Sequence, residues 1–155
     1  MSRLESPIHI QQDRIGYCLP ACGQMALAQL GIEVTQMQLA QILDTRVGIG
    51  TPFSRVERLA QWPVRVSVTE WGTMDTVAAA LAAETAVIAA ITTTSGLPGW
   101  AKIRTQHTVL VVHVNSDQVT YHDPALAQGP VSVLRDEFLL AWSYMAEKAA
   151  FLTRT

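Results

Sequence analysis

The segment His-Thr-Val-Leu-Val-Val-His-Val over residues 107–114 constrains the fold more than any other part of the sequence. Successive side chains of a strand point to opposite faces, and here apolar residues occupy both the odd and the even positions. The pattern therefore predicts a central, buried strand. Asn115-Ser116-Asp117 predicts a turn after it, and residues 118–122 predict a second strand that returns antiparallel.

The remaining segments favour helices in the first half of the chain and strands in the second. Apolar and small residues recur with helical spacing from Cys18 to Leu30, and Gly31 is a natural stop for that helix. Thr35 with Gln38 predicts a capping box that opens a second helix. Further helices are expected from about residue 51 to 62, after residue 73 and over 134–142, and further strands over 64–68, 86–91, 131–133 and 148–153. Helices followed by an antiparallel sheet indicate the α+β class.

Composition narrows the classes of protein to consider. With 155 residues, 49% of them hydrophobic and 15% charged, the chain is expected to fold as one domain over residues 1–155. The net charge of -2 and the lack of a Lys/Arg cluster argue against nucleic acid or an anionic membrane as a partner. Residues 1–12 lack the apolar run of a secretory signal, and the most apolar stretch, 77–91, is too short to span a bilayer. A cytoplasmic location is therefore expected.

Two cysteines stand four residues apart in the first predicted helix. Cys18 falls in its first turn, where the helix dipole and free backbone N–H groups stabilise a thiolate. Cys22 lies one turn deeper on the same stripe and is expected to be an ordinary buried thiol. A lone cysteine at a helix start is more often just a buried small residue, and metal, redox and catalytic interpretations are open at this point.

The histidines differ in their expected surroundings. His107 begins the central strand directly after a long loop, where a cleft is expected. His113 shares its face in a regular strand but lies ~20 Å away, near the turn, so the two cannot serve one site. We expect His113 to be structural or exposed, and His9, in the N-terminal lead-in, to be exposed.

The predicted hairpin supplies a partner for His107. If the hairpin is centred on Asn115, Asp123 lies opposite His107 and points to the same face. Its carboxylate could accept a hydrogen bond from Nδ1–H and fix the tautomer of the ring. The alternative is that Asp123-Pro124 is only a turn dipeptide.

A thiol, an imidazole and a carboxylate are the groups that a thiol peptidase requires, and an oxyanion donor would complete them. Gln11 and Gln12 lie just upstream of the Cys18 helix, and the side-chain amide of either could donate this bond. Spacing alone does not choose between them, and a glutamine in a polar lead-in is usually solvated.

Taken together, these residues resemble a known family. Gln12-Asp-Arg-Ile-Gly-Tyr-Cys18-Leu-Pro-Ala-Cys22 is similar to the active-site helix of the bacteriocin-processing, double-glycine-leader peptidases, the papain-like domains of peptidase-containing ABC transporters. His107-Thr-Val-Leu-Val-Val with Asp123-Pro-Ala resembles the family's His-Phe-Val-Val-Leu and Asp-Pro-Ala. The segment 135–143, which ends in Trp-Ser, resembles the family's closing helix, so the likeness runs over nearly the whole chain.

The resemblance implies a papain-like cysteine peptidase fold, with N-terminal helices packed on a C-terminal antiparallel sheet. It implies Cys18 as nucleophile, His107 as general base, Asp123 as the group that orients the base, and Gln12 as oxyanion donor, with no cofactor and no metal. The implied substrate is a peptide or protein with a helical leader, cleaved after small residues such as a double glycine. Association with an ABC transporter is a further implication.

The sequence departs from the family's pattern around the expected cleft. Tyr17, Leu19, Thr108 and Tyr144 replace residues that are usual in the family, which affects the expected substrate preference more than the chemistry. The chain also lacks membrane helices and a Walker-type loop, so the resemblance implies a stand-alone member or an excised domain.

Three other interpretations are open. The same acyl-enzyme could pass its acyl group to an amine or a thiol instead of water. A relative that has lost catalysis would only bind peptide, although Cys18, Gln12, His107 and Asp123 are all present here. Cys18 and Cys22 with a nearby histidine could ligate zinc, but the matches at Gln12 and Asp123 would then be coincidence.

Overall fold

The fold is described by a computed structural model over residues 7–155. Within that range the chain forms four α-helices, one 3-10 helix and one six-stranded sheet. The elements in chain order are α1 (Cys18–Gln29), α2 (Gln36–Ile42), the 3-10 helix (Phe53–Gln61), β1 (Val64–Thr69), α3 (Met74–Ala82), β2 (Ala86–Thr92), β3 (Gln106–Val114), β4 (Gln118–His122), β5 (Val131–Leu134), α4 (Arg135–Ser143) and β6 (Ala149–Arg154).

The sheet confirms the predicted α+β class and the central place of β3. Its strand order is β1-β6-β2-β3-β4-β5, and every neighbouring pair is antiparallel. The strand β3 pairs with β2 on one side, over residues 106–111, and with β4 on the other, over residues 110–114, so it is an interior strand of the sheet. Residues of β3 are buried on both faces of the sheet, which explains why its sequence is apolar at both odd and even positions.

Helices cover both faces of the sheet, which gives two apolar clusters. The first cluster lies between the sheet and α1, α2 and the 3-10 helix, and it includes Leu110 of β3. The second lies between the sheet and α3 and α4, and it includes Val109 and Val111. The N-terminal helices thus pack on the sheet as expected, and α3 and α4 add a third layer on the opposite face.

Local sequence signals account for the bounds of the helices. The backbone turns at Gly31, with φ +80°, immediately after the last turn of α1. The capping box predicted at α2 is present, because Thr35 accepts from the Gln38 backbone and the Gln38 side chain accepts from the Thr35 N–H. Thr73 caps α3 by accepting from Thr76 N, as its position before the Ala-rich run predicts.

The register of the β3–β4 hairpin differs from the prediction. Leu110 pairs with His122 and Val111 with Tyr121, so a register centred on Asn115 is wrong by two residues. The reason is the turn, which spans residues 115–118 and pairs Val114 with Val119, so the hairpin is not centred on Asn115. A bulge between Val111 and His113 then shifts the pairs beyond it by one residue.

The bulge also changes which face each side chain occupies. Val109, Val111 and Val114 all belong to the second cluster, so the alternation shifts by one residue along the way. His113 is exposed, as expected, but it does not share a face with His107, as a regular strand would require.

Two predictions concerned membranes. Among the helices formed by residues 7–155, none combines the length and apolar character needed to cross a bilayer. The prediction that residues 1–12 are no secretory signal falls partly on residues 1–6, which lie outside the described range.

Candidate active site

Cys18 is the first residue of α1, where the helix meets the sheet. Tyr17 occupies the N-cap position, and its carbonyl accepts the first helical hydrogen bond, from Ala21 N. The amides of the first turn, including that of Cys18, have no acceptor within the helix. The half-buried thiol therefore lies at the positive end of the helix dipole, close to free N–H donors.

The imidazole of His107, near the start of β3, joins this thiol to a carboxylate. The ring is 6% exposed, and its Nε2 lies 2.6 Å from Oδ1 of Asp123. Cys18 lies close enough to the same ring for each group to shift the pKa of the other, and because Nε2 is engaged by Asp123, Nδ1 is the nitrogen left for the sulfur. The expectation that Nδ1–H would donate to Asp123 is therefore wrong, because the ring directs Nε2 toward the carboxylate.

Asp123, directly after β4, is 1% exposed and is held by three donors. Oδ1 accepts from His107 Nε2 and, at 2.9 Å, from the backbone N–H of Ala125. Oδ2 accepts from the indole Nε1–H of Trp100 at 2.8 Å. The bond to Ala125 shows that Asp123 does belong to a turn. The same carboxylate also contacts His107, so the two interpretations of Asp123-Pro124 do not exclude each other.

Charges within this cluster stabilise one another. Burial raises the pKa of Cys18, but a hydrogen bond to His107, the charge of that ring and Thr108 together bring it below the ordinary value. Burial lowers the pKa of His107, but its hydrogen bonds and charge interactions with Asp123 and Cys18 raise it to about 9. For Asp123 the hydrogen bond and the charge of His107 outweigh burial and lower the pKa. The arrangement favours a thiolate beside an imidazolium.

Thr108 and Cys22 form the floor beneath Cys18. The Thr108 hydroxyl is buried, has no hydrogen-bond partner of normal geometry among the described residues, and lies against both sulfurs, lowering the pKa of each. Burial nevertheless raises the pKa of Cys22 well above its ordinary value, and the charge of Cys18 adds to that rise. Cys22 is thus a protonated core thiol, as predicted from its place on the helix.

The lead-in before α1 lies along the turn that carries Asp123. The Gln12 N–H donates to Pro124 O at 2.7 Å, and the half-buried Gln12 side chain has an Oε1 without a partner among residues 7–155. The Gln11 side chain, in contrast, is exposed.

His9 is half-buried, and the prediction that it is exposed is wrong. Its Nδ1 lies 2.9 Å from Nδ1 of His122, and its Nε2 donates to Leu126 O at 2.7 Å. These contacts join residues more than one hundred positions apart, so no local sequence pattern predicts them. They tie the lead-in to the segment on either side of Asp123.

A cavity of about 320 Å³ lies beside the cluster. It is bordered by Thr94, Trp100, Lys102 and Arg104 of the loop before β3, and by Tyr144 after α4. Trp100 also packs against His107, with ring centroids 4.9 Å apart. A cleft was expected beside this loop, but the bond from Trp100 to Asp123 was not foreseen.

Metal ligation was an alternative for the cysteines. Among residues 7–155, no three His, Cys, Asp or Glu side chains are grouped so that they could hold a metal ion. Cys22 is completely buried in the first apolar cluster, where it packs with Leu19 and Met25.

Comparison with known sequences decides the family. The model of the Peptidase_C39 like family matches residues 3–150. This chain belongs to the Peptidase C39-like family. The membership confirms the resemblance seen in the Cys18 and His107 blocks. No sequence among curated proteins matches the chain.

Solved structures show that the fold is that of C39 peptidases. A protein from Bacillus anthracis described as a C39-like peptidase is 18% identical, with a TM-score of 0.75 over 97% of this chain and 99% of the other. The peptidase domain of Streptococcus ComA, a bifunctional ABC transporter of a quorum-sensing pathway, is 15% identical, with a TM-score of 0.75 over 97% of this chain and all of the other. A double-glycine-motif protease from an AMS/PCAT transporter, solved with its leader peptide, is 16% identical, with a TM-score of 0.72 over 99% and 95%.

Proposed function

We propose that this C39-like protein is a cysteine peptidase in which Cys18 is the nucleophile, His107 the general base and acid, and Asp123 the group that orients the ring. The observation that carries the proposal is that one buried imidazole contacts a thiol at a helix N-terminus with one nitrogen and a buried carboxylate with the other. This arrangement supplies a reactive thiolate and a proton beside it. It is also the arrangement that the sequence blocks imply.

The chemistry follows from the positions of the proton and the charge. The Cys18 thiolate attacks the carbonyl carbon, and the carbonyl π electrons move to its oxygen. When the tetrahedral intermediate collapses, the C–N bond breaks and His107 gives its Nδ1 proton to the leaving amine, which leaves a thioester. His107, now neutral, takes a proton from water as the water attacks the thioester. The acid product leaves and the thiolate–imidazolium pair is restored.

Gln12 completes the proposed site as an oxyanion donor. Its backbone is fixed to Pro124, next to Asp123, and its amide is not bound through Oε1 to any described residue. The side-chain N–H of Gln12 and the backbone N–H of Cys18 would then stabilise the charge on the carbonyl oxygen. Preorganised donors of this kind are usually the largest single contribution to such catalysis.

The proposed substrate is a peptide with a helical leader that ends in small residues such as a double glycine. The family membership and the fold shared with a leader-binding protease support this choice. The cavity bordered by Trp100, whose ring packs against His107, offers a surface on which a peptide could lie. Association with an ABC transporter is proposed on the same grounds.

The test is cleavage of leader peptides ending in Gly-Gly before a cargo segment, followed by mass spectrometry. Cleavage after the second Gly is expected with the wild type and with Cys22→Ala, and its loss with Cys18→Ala. A peptide with Val in place of the last Gly is expected to remain intact. Cleavage that persists in Cys18→Ala would refute the assignment, and binding without cleavage by the wild type would favour a peptide-binding role. Added amines separate hydrolysis from acyl transfer, because transfer leaves the amine on the product.

A further inference from the structure

Trp100 contacts both the carboxylate and the imidazole of the proposed site. Its indole Nε1–H donates to Asp123 Oδ2 at 2.8 Å, and its ring lies 4.9 Å from that of His107 at an interplanar angle of 56°. Neither contact involves the part of the cluster that would touch a peptide bond.

The loop that carries Trp100 is held by its own hydrogen bonds. Trp100 N donates to Leu97 O, and Leu97, which is buried in the second apolar cluster, donates to Thr94 O, each at 3.1 Å. Thr93 joins the two ends of the loop, since its hydroxyl donates to Ile103 O and accepts from Thr105 N, each at 2.9 Å. These bonds hold the backbone from which the indole extends toward Asp123 and His107.

The hydrogen bonds of Asp123 show why this indole is needed. Oδ1 already has two donors, whereas the Trp100 indole is the donor that the described residues provide for Oδ2. An oxygen of a carboxylate that is 1% exposed loses much of its stabilisation when a donor is removed, because water cannot readily replace it.

We propose that Trp100 is a positioning residue that fixes the rotamer of Asp123 and closes the His107–Asp123 contact to solvent. The proposal rests on the peptidase function proposed above. Trp100 would act on the thiol only through Asp123 and His107. Its hydrogen bond is also one of the causes that lower the pKa of Asp123, after the hydrogen bond and the charge of His107.

The variant Trp100→Phe keeps an aromatic ring against His107 but removes the N–H. The Asp123 carboxylate, no longer held in one rotamer, then stabilises the imidazolium less strongly. The pKa of Cys18 should therefore rise and that of His107 should fall, which narrows the pH range in which the thiolate–imidazolium pair exists. We expect kcat/KM to fall by about tenfold. Trp71→Phe is the matched control, because Trp71 is 72% exposed and makes none of these contacts.

The experiment measures the rate of Cys18 alkylation by iodoacetamide against pH, in a Cys22→Ala background. In Trp100→Phe the acid limb should move to higher pH and the transition of His107 to lower pH, whereas Trp71→Phe should reproduce the parent profile. A folded Trp100→Phe protein with the parent profile would overturn the proposal. Because no peptide is needed, a failure to cleave any peptide would count against the peptidase function and leave this result intact.

A second measurement avoids substitution at Trp100. In ¹⁵N-labelled wild type, the indole N–H signal of Trp100 should shift with pH at the same midpoint as the alkaline transition of Cys18 alkylation. An indole signal that does not respond across this transition would contradict the link from Trp100 to His107.

Discussion

The imidazole of His107 has two ring nitrogens, and each has a different partner. Nε2 is bound to Asp123 at 2.6 Å, and the other faces Cys18. The buried carboxylate thus stabilises the protonated form of the ring, and the proton on the other nitrogen stabilises the thiolate. Reactivity at the residue scale depends on this proton, and the following two predictions test the groups on either side of it.

The first prediction concerns the pH at which each cysteine reacts. The pKa of Cys18 is lowered and that of Cys22 is raised, so Cys18 should form a thiolate at lower pH than Cys22 does. At about pH 6, iodoacetamide should modify Cys18 at least about tenfold faster than a small free thiol, and Cys22 hardly at all. Peptide mapping after brief labelling, with Cys18→Ala and Cys22→Ala as controls, measures the two rates. Equal and slow labelling of both would contradict the site.

The second prediction separates Gln12 from Gln11. If the Gln12 amide binds the oxyanion, Gln12→Ala should lower kcat by roughly 100- to 1000-fold with little change in KM. The Cys18 alkylation profile should remain that of the wild type, because the amide acts on the transition state and not on the thiol. Gln11→Ala is the control, since that side chain is exposed and the contact of Gln11 with Gln36 is made by its backbone carbonyl, which the substitution retains. Equal losses in both variants would exclude a specific role for Gln12.

The sequence predicted which residues meet in this site better than it predicted how they meet. His107 and Asp123 were expected in contact from a hairpin centred on Asn115, and they are in contact although the register differs by two residues. The ring nitrogen was wrong, because it depends on a side-chain rotamer that the spacing of residues does not determine. Trp100 was not foreseen as a donor, because it lies in the loop before β3 and Asp123 follows β4. No local sequence pattern relates two positions that are 23 residues apart.

At the scale of elements, the position of the thiol depends on the short connection between the lead-in and α1. Gly16 has φ +91°, and the loop over residues 46–50 packs directly against it, with Gly48 N donating to Ile15 O at 2.8 Å. Because Gly16 stands two residues before Cys18, the packing of this loop bears on the direction in which α1 begins.

The third prediction tests that packing. A Cβ at Gly16 would stand 2.9 Å from Arg46 O and 3.0 Å from Gly50 N, whereas a Cβ at Gly48, with φ +80°, would meet nothing within 4 Å. Both Gly16→Ala and Gly48→Ala incur strain from a positive φ, roughly 1–2 kcal/mol. Gly16→Ala should lose about 1 kcal/mol or more beyond that, because the loop must move.

Urea unfolding of the two variants gives this difference directly, since each free energy is measured against the same wild type. The alkylation rate of Cys18 should also fall in Gly16→Ala and remain unchanged in Gly48→Ala. If both variants lose the same stability, the contact between Gly16 and the loop does not stabilise the fold.

Elements with strong local signals were predictable, and their long-range pairing was not. The capping box at Thr35 and the continuous apolar run of β3 both depend on residues that are close in sequence. For these two elements the prediction and the structure agree. The insertion of β6 between β1 and β2 depends on pairs such as Val66 with Leu152, which no local pattern specifies. The bulge at Val111 was missed for a similar reason, because no glycine or proline marks it.

At the scale of the whole molecule, the proposed site connects the two apolar clusters. Cys18 belongs to the helix that packs in the first cluster, whereas Trp100 packs against the second. His107, near the start of β3, and Asp123, directly after β4, lie between them, and both are buried. Their charges therefore contribute to the free energy of unfolding as well as to the chemistry of the site.

The last prediction follows from the sign of the pKa shifts. The folded-state pKa of His107 is raised to about 9, so its contribution to stability is complete below the ordinary value of 6.5 and is lost as the pH rises through about 9. The folded-state pKa of Asp123 is lowered, so its contribution is present above 3.8 and is lost as the pH falls through the folded value. The pair should therefore stabilise the fold most between these two ordinary values.

Asp123→Asn removes the largest cause that raises the pKa of His107, so the folded variant holds the ring proton less tightly than the wild type. The difference in unfolding free energy between the two proteins should be greatest from about pH 4 to 6.5. It should then narrow as the pH rises toward 9, by about 1.4 kcal/mol for each unit by which the substitution lowers the pKa of His107. Urea unfolding across this range measures the difference. Asp117→Asn, an exposed side chain on the same hairpin, should leave the curve unchanged, and a gap for Asp123→Asn that is constant with pH would show that the two charges do not stabilise each other.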